Sequence, residues 1–204
     1  DFSVLKDVLM EGRRVVNNIT KVARIFFIKT IYSILLSLFC IVTNTGFPFI
    51  PIQITLIDLI IEGYTSFFIT FESNKTPIIG AFLTKALTNA LPFALAIMIN
   101  IIILTIAGNI IGIPQTELTT MMYILIGFVS ILAVQEVCTP FNKMHIFLFA
   151  TTTVGFYVAA LLFNKLLQLS PLNGAEIIVV CILAIISYLM IHIKRKIYKE
   201  KQIG

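Results

Sequence analysis

Any chemistry this chain performs would turn on two carboxylates in the middle of an apolar run. Within the stretch from Phe49 to Tyr64, Asp58 and Glu62 stand four residues apart, so on a helix their side chains share one face. The run continues to Phe71, long enough to cross a bilayer. A carboxylate at that depth costs roughly 2.5–3.5 kcal/mol on insertion scales. Two on one face call for a cation or proton bound in transit, for a basic partner on a neighbouring helix, or for neutral carboxyls. Pro51 and Gly63 flank the pair, and helix breakers persist in a span where other groups re-satisfy the backbone. A binding site is the expectation.

The oxygens that could complete such a site are close in sequence. Thr30 and Ser33 lie on the preceding apolar run, Gln53, Thr55, Thr65 and Ser66 on the same one, and Glu136 and Asn142 near the end of a later one. Carboxylate, amide and hydroxyl oxygens suit hard cations such as Ca²⁺ or Mg²⁺. The candidate metal ligands are therefore Asp58, Glu62 and Glu136, with Thr30, Ser33, Gln53 and Asn142 as secondary candidates; protons could use the same carboxylates. Softer metals want thiolate or imidazole. His145 and His192 sit near span ends without partners at ligand spacing and read as interfacial residues, and Cys138 reads as packing. Cys40 and Cys181 likewise fall in or beside apolar runs, so no disulfide framework is expected.

The elements that hold these residues follow from composition. The chain is 58% hydrophobic and 12% charged, where a soluble domain would carry about a quarter charged residues. It reads as an all-α integral membrane protein, a bundle of six spanning helices with no sizeable water-soluble domain. The net charge of +5 flanks the spans instead of forming a basic face, which excludes nucleic acid as a partner and leaves the lipid bilayer.

In order, residues 1–24 form a charged lead-in and stalk, 25–193 a six-helix transmembrane domain, and 194–204 a basic tail. No proline interrupts Phe2–Cys40, so one helix is predicted from about Val8 to about Val42. At ~1.5 Å per residue it is about 50 Å long, more than the ~30 Å hydrocarbon slab, and its first part projects as a stalk. Lys29, near the stalk end of the span, could snorkel to the interface or counter the carboxylates of the next helix. The turn Thr43–Pro48 makes the second helix, about Ile52–Phe71, an antiparallel neighbour. A third segment combines an interfacial lead-in, Ile79–Leu91, with a span from Pro92 to Ile111. Three more spans cover about Thr119–Val137, Met144–Leu167 and Ala175–Ile193. Lys and Arg concentrate in the stalk, the 72–86 loop, Lys143 and the tail, which puts both termini in the cytosol by the positive-inside rule. With no initiator Met, Asp1 reads as a cut inside a longer chain. A phosphate-binding glycine loop and an Asp-Lys-Thr-Gly phosphorylation motif are both lacking, so the energy source for any transport lies outside these residues. A self-standing six-span channel or scaffold is the competing class, and the charged stalk argues against it.

Essentially the whole chain resembles the C-terminal membrane half, helices five to ten, of a P-type (E1–E2) cation-transporting ATPase of the bacterial calcium-pump kind. Glu11-Gly12-Arg13-Arg14-Val15-Val16-Asn17-Asn18-Ile19 is similar to the stalk signature at the start of that family's fifth helix. Ile50-Pro51-Ile52-Gln53, then Asp58 and Glu62-Gly63, is similar to its sixth helix. Gln135-Glu136-Val137-Cys138 with Asn142 is similar to its eighth, whose Glu contributes to an ion site. The resemblance implies ATP-driven transport through a phosphoaspartate, with Mg²⁺ and ATP as cofactors of the full-length protein. It implies an N-terminal remainder of the same ATPase as partner, a bacterial plasma membrane, and Ca²⁺ as the favoured cation over Mg²⁺, a monovalent ion or a polyamine. Thr30 and Ser33 stand where calcium pumps place an Asn and a Glu, which leaves the fifth helix without a carboxylate at that place.

Overall fold

The computed structural model describes the backbone of residues 2–78 and 80–203 and the side chains of residues 4–78 and 80–193. The described residues form helices joined by short loops, with no strand among them. We number the helices α1 (Phe2–Thr43), α2 (Pro51–Ile69), α3 (Phe82–Ile111), α4 (Gln115–Val137), α5 (Lys143–Leu162) and α6 (Gly174–Ile203). All six are long and apolar enough to cross a membrane, and the protein is a multi-pass membrane protein.

The helix ends follow local chemistry. α1 closes at Thr43 and Asn44 takes the left-handed conformation (φ 52°), which Asn tolerates better than most residues. α2 opens with Pro51 at its first position, where a missing N–H costs nothing, and the Gln53 side chain accepts from the Ile50 N–H at 3.1 Å. α5 begins at an N-cap, Asn142, whose Oδ1 accepts from His145 N at 2.7 Å. Asn173 and Glu176 cap α6 reciprocally, at 2.8 and 3.0 Å.

Four boundaries differ from the sequence expectation. α1 reaches back to Phe2, since nothing between Phe2 and Val8 breaks a helix. The interfacial lead-in and third span are one helix that continues through Pro92; Ala90, Phe93 and Ala94 pack in the core on either side and hold what the lost ladder bond would loosen. Ile79, where that lead-in was expected to begin, lies outside the described residues. α5 ends at Leu162, because the next segment turns inward to bury Leu167 and present its carbonyl to Gln53 Nε2 at 2.8 Å. The helical backbone of α6 runs on to Ile203, through a basic stretch of good helix formers without Gly or Pro; the side chains of that tail lie outside the described residues.

The core is centred on α4, where Leu118, Met121, Tyr123, Ile126, Val129 and Val134 are all buried. α1 packs chiefly on α3, and α6 covers α3 and α4, with Asn100 donating to Ser187 Oγ at 2.9 Å across the α3–α6 contact. Glycine makes close approach possible at two places: a methyl on Gly127 of α4 would overlap the Phe156 ring of α5, and one on Gly108 of α3 would overlap the Leu118 side chain of α4. α2 lies against α1, α4 and α5, so its middle faces three helices.

Candidate cation site

α2 is not regular where it carries its carboxylates. Residues Asp58–Gly63 form a π-helical turn, the wider winding in which each N–H reaches the carbonyl five residues back, as Tyr64 N does to Leu59 O. Such turns are rare and often mark functional sites. Gly63 closes it, and a Cβ there would come 3.1 Å from the Asp58 carbonyl oxygen, tight enough to push on the turn.

The turn sends its two carboxylates into different surroundings. Asp58 is partly exposed, and both its oxygens lie 2.6 Å from Lys29 Nζ on α1. Of the two fates open to Lys29 in the sequence, the structure has the second: its ammonium turns onto Asp58 instead of rising to the interface. Glu62 is 3% exposed, and its Oε2 has no hydrogen-bond partner among the described residues. Asp58 and Lys29 are within electrostatic range of it. Tyr32, one turn beyond Lys29 on α1, is in range of both carboxylates and of Tyr123 on α4. The Tyr32, Tyr123 and Ser66 hydroxyls are also buried without a partner. Unsatisfied buried polar atoms cost about 1–3 kcal/mol each, and native proteins carry few. These four lie on α1, α2 and α4, which adjoin the wide turn, and all are oxygens, the donor type that hard cations take.

Glu136 is held elsewhere. At the stalk end of the bundle its Oε1 lies 2.5 Å from Arg24 Nη2, without a hydrogen-bonding angle, and Arg24 also stacks 5.5 Å above the Phe93 ring. Together they border a cavity of about 240 Å³ that Lys21, Lys85 and Asn89 also line. No three His, Cys, Asp or Glu side chains converge among the described residues, so Asp58 and Glu62 come together and Glu136 does not join them. The secondary candidates are dispersed too. Thr30 is exposed and donates to Phe26 O at 3.0 Å, Ser33 is half-buried, Gln53 has both ends of its amide engaged at the start of α2, and Asn142 is the cap of α5.

The N-terminal half of α1 holds a network that sequence reasoning missed. Lys21 Nζ donates to both oxygens of Glu72 at 2.7 Å, and His145 Nε2 is 3.6 Å from the same carboxylate. His145 is thus buried, not interfacial, with Nδ1 2.9 Å from the Pro140 carbonyl. Asn18 donates to the Thr70 and Glu72 carbonyls at 3.2 and 2.8 Å, Asn17 to that of Thr76 at 2.9 Å, and Arg14 to that of Thr70 at 2.9 Å. Four side chains of α1, spaced three or four residues apart over most of their length, thereby grip the loop that follows α2. Their periodicity was the available signal, but partners that are backbone carbonyls have no sequence signature.

Comparison with known proteins adds the family. A protein of Streptococcus pneumoniae serotype 4 described as a probable cation-transporting ATPase, exp7, is 40% identical over 183 residues, 85% of this chain. The chain is a relative of the P-type cation-transporting ATPases. The calcium-transporting ATPase CtpE of Mycobacterium bovis is 35% identical over 106 residues, 47% of the chain, and its namesake in Mycolicibacterium smegmatis 25% identical over 188 residues, 84% of the chain. No protein-family model matches. The chain spans at most about a quarter of the length of these ATPases, 24%, 13% and 24% respectively.

Proposed function

We propose that this chain is the membrane domain of an ATP-driven cation pump and holds part of the intramembrane cation site. The observation that carries the reading is Glu62: a buried carboxylate oxygen without a hydrogen-bond partner among the described residues, on a π-helical turn that packs against α1 and α4, each of which carries a buried tyrosine hydroxyl in the same condition. A carboxylate at this depth is ordinarily paired with another side chain or with backbone. Asp58 is the second acidic member, and Glu136 is a third ligand that reaches the site only if it leaves Arg24. Ca²⁺ is the cation favoured by the oxygen-only donors and by the calcium transport named for the mycobacterial relatives.

ATP hydrolysis, with Mg²⁺, belongs to the remainder of the longer ATPase, which is the chain's principal partner besides lipid. Residues 1–24 are the stalk that carries its motion, 25–193 the transport domain and 194–204 a basic anchor at the lipid surface. Both termini face the cytosol of a bacterial cell, across its plasma membrane, as the Lys/Arg distribution favours. α1 links the two activities directly, because one unbroken helix carries both the grip on the α2–α3 loop and Lys29.

The test is ATP hydrolysis by the full-length protein in lipid, titrated separately with Ca²⁺, Mg²⁺, Na⁺, K⁺ and spermidine. Stimulation by micromolar Ca²⁺ that disappears in Glu62→Gln supports a calcium pump with its site on α2. Stimulation by another ion keeps the pump and replaces the cargo. A hydrolysis rate indifferent to all five refutes the reading.

A further inference from the structure

Asp58 and Glu62 differ in one respect that bears on how many ions the site can hold. Asp58 already has a cation. Lys29 Nζ stands 2.6 Å from each of its oxygens, so both already face a positive charge, whereas Glu62 Oε2 has no partner among the described residues. The ammonium is tethered to α1 by its own stem and cannot diffuse away, so a mobile cation meets a locus of fixed positive charge at Asp58. With Lys29, Asp58 and Glu62 ionised, the three sum to a single negative charge, enough to compensate one bound cation partly or fully and too little for two divalent ions.

We propose that Lys29 is a resident cation of the transport site: it fills the Asp58 position, leaves Glu62 and its surrounding hydroxyls to hold the transported ion, and restricts this site to one. The inference rests on the reading of Asp58 and Glu62 as the cation site. It gives Lys29 the role of a specificity-determining residue that sets stoichiometry. It also explains how Asp58 stays compensated once the cargo has left, since the ammonium remains when the cation departs.

The bland alternative is an ion pair that serves only to let Asp58 fold into the membrane. The two make opposite predictions for a charge-swap series in the full-length ATPase, read by the number of ⁴⁵Ca²⁺ ions bound per phosphorylatable enzyme and by the Ca²⁺ dependence of phosphorylation. If another cation stimulates the wild type, that ion is the probe. Lys29→Met frees Asp58 and should raise the count from one to two, with apparent affinity higher on the order of tenfold. Asp58→Asn leaves the ammonium free to turn on Glu62 and should weaken cation binding on the order of tenfold or more. Lys29→Met/Asp58→Asn, neutral at both positions, should return to one ion and to within about threefold of wild-type affinity.

An unchanged count and affinity in Lys29→Met overturns the proposal. So does a double variant that binds no better than Asp58→Asn, because Asp58 would then itself be a ligand of the cargo. If Lys29→Met does not fold, judged by gel filtration in detergent, the double variant against Asp58→Asn decides alone. A wild-type enzyme with no cation-dependent phosphorylation would instead refute the pump reading, an outcome distinct from either of these.

Discussion

α2 meets basic residues of α1 at two levels, and the two meetings are built differently. At the stalk end, beyond the last turn of α2, Glu72 has both oxygens on Lys21 with His145 beside them, and the neighbouring carbonyls are taken by Asn18 and Arg14. At the middle, Lys29 holds Asp58 in the same two-oxygen fashion, but one turn further on Glu62 keeps a buried oxygen with nothing to accept from among the described residues. The same helix pair thus offers a carboxylate whose needs the fold meets and one whose needs it leaves open. The first arrangement fixes the position of a loop. The second, on the function proposed above, is open to a cation, and backbone regularity follows the difference, since α2 widens into a π-helical turn at its middle alone.

The contrast is broken most directly at Glu62. Glu62→Gln keeps size and hydrogen-bonding capacity while removing the charge that a cation would meet. Cation-dependent phosphorylation should fall at least about a hundredfold, the equivalent of roughly 3 kcal/mol. Thermal stability in detergent should hold or rise, because a buried charge has been removed. A variant that melts earlier and keeps its cation dependence would place Glu62 with Glu72, as a structural carboxylate.

Lys21→Met is the mirror experiment. It leaves Glu72 without its ammonium at a partly buried position, where the cost lies between those of surface and buried pairs, about 2–3 kcal/mol. Unfolding in detergent should report that loss, while the cation concentration for half-maximal phosphorylation of the folded protein stays unchanged. A shift in that concentration as large as the one from Glu62→Gln would erase the distinction between the two levels.

Glu136 sharpens the comparison because it is a third carboxylate, apart from Asp58 and Glu62 and countered by Arg24. Glu136→Gln should weaken apparent cation affinity about tenfold, about 1.4 kcal/mol, if the carboxylate swings from Arg24 to the ion during transport. Equilibrium cation binding, measured beside Glu62→Gln, checks it. An unchanged affinity assigns Glu136 to the stalk network.

The parts legible in the sequence were those set by local pattern. Six apolar runs gave six helices, and Asp58 and Glu62 stood out because charge inside such a run is rare. Pairing between helices was not legible. Whether Lys29 rises to the interface or turns to Asp58 depends on the rotation of α1 against α2, which hydropathy leaves free when both faces of a helix are apolar. Glu72 and His145 were hidden for another reason: they lie 73 residues apart, one on the loop after α2 and one in the first turn of α5, and only the bundle brings them together. Gln53 and Asn142 were ambiguous because an amide oxygen suits a cation and a helix start equally well. Their places at the starts of α2 and α5 are set by the packing of the helices, which local sequence does not encode.

Asn142 supplies the smallest and most selective test of that separation. Its Oδ1 accepts from His145 N, one of the N–H groups that the first turn of α5 cannot satisfy internally, and the side chain is itself exposed. Asn142→Ala should therefore cost about 1 kcal/mol, the usual loss for an N-cap, seen as a lowered unfolding temperature in detergent. Asn142→Asp should restore it, since Asp caps as well as Asn and its charge suits a helix N-terminus. Cation affinity should be the same in all three proteins. The Asp variant makes the test sensitive, because a carboxylate added to a cation site would tighten binding, whereas one added to a distant cap would not. Tighter binding in Asn142→Asp would bring the start of α5, and Glu136 with it, back into the site.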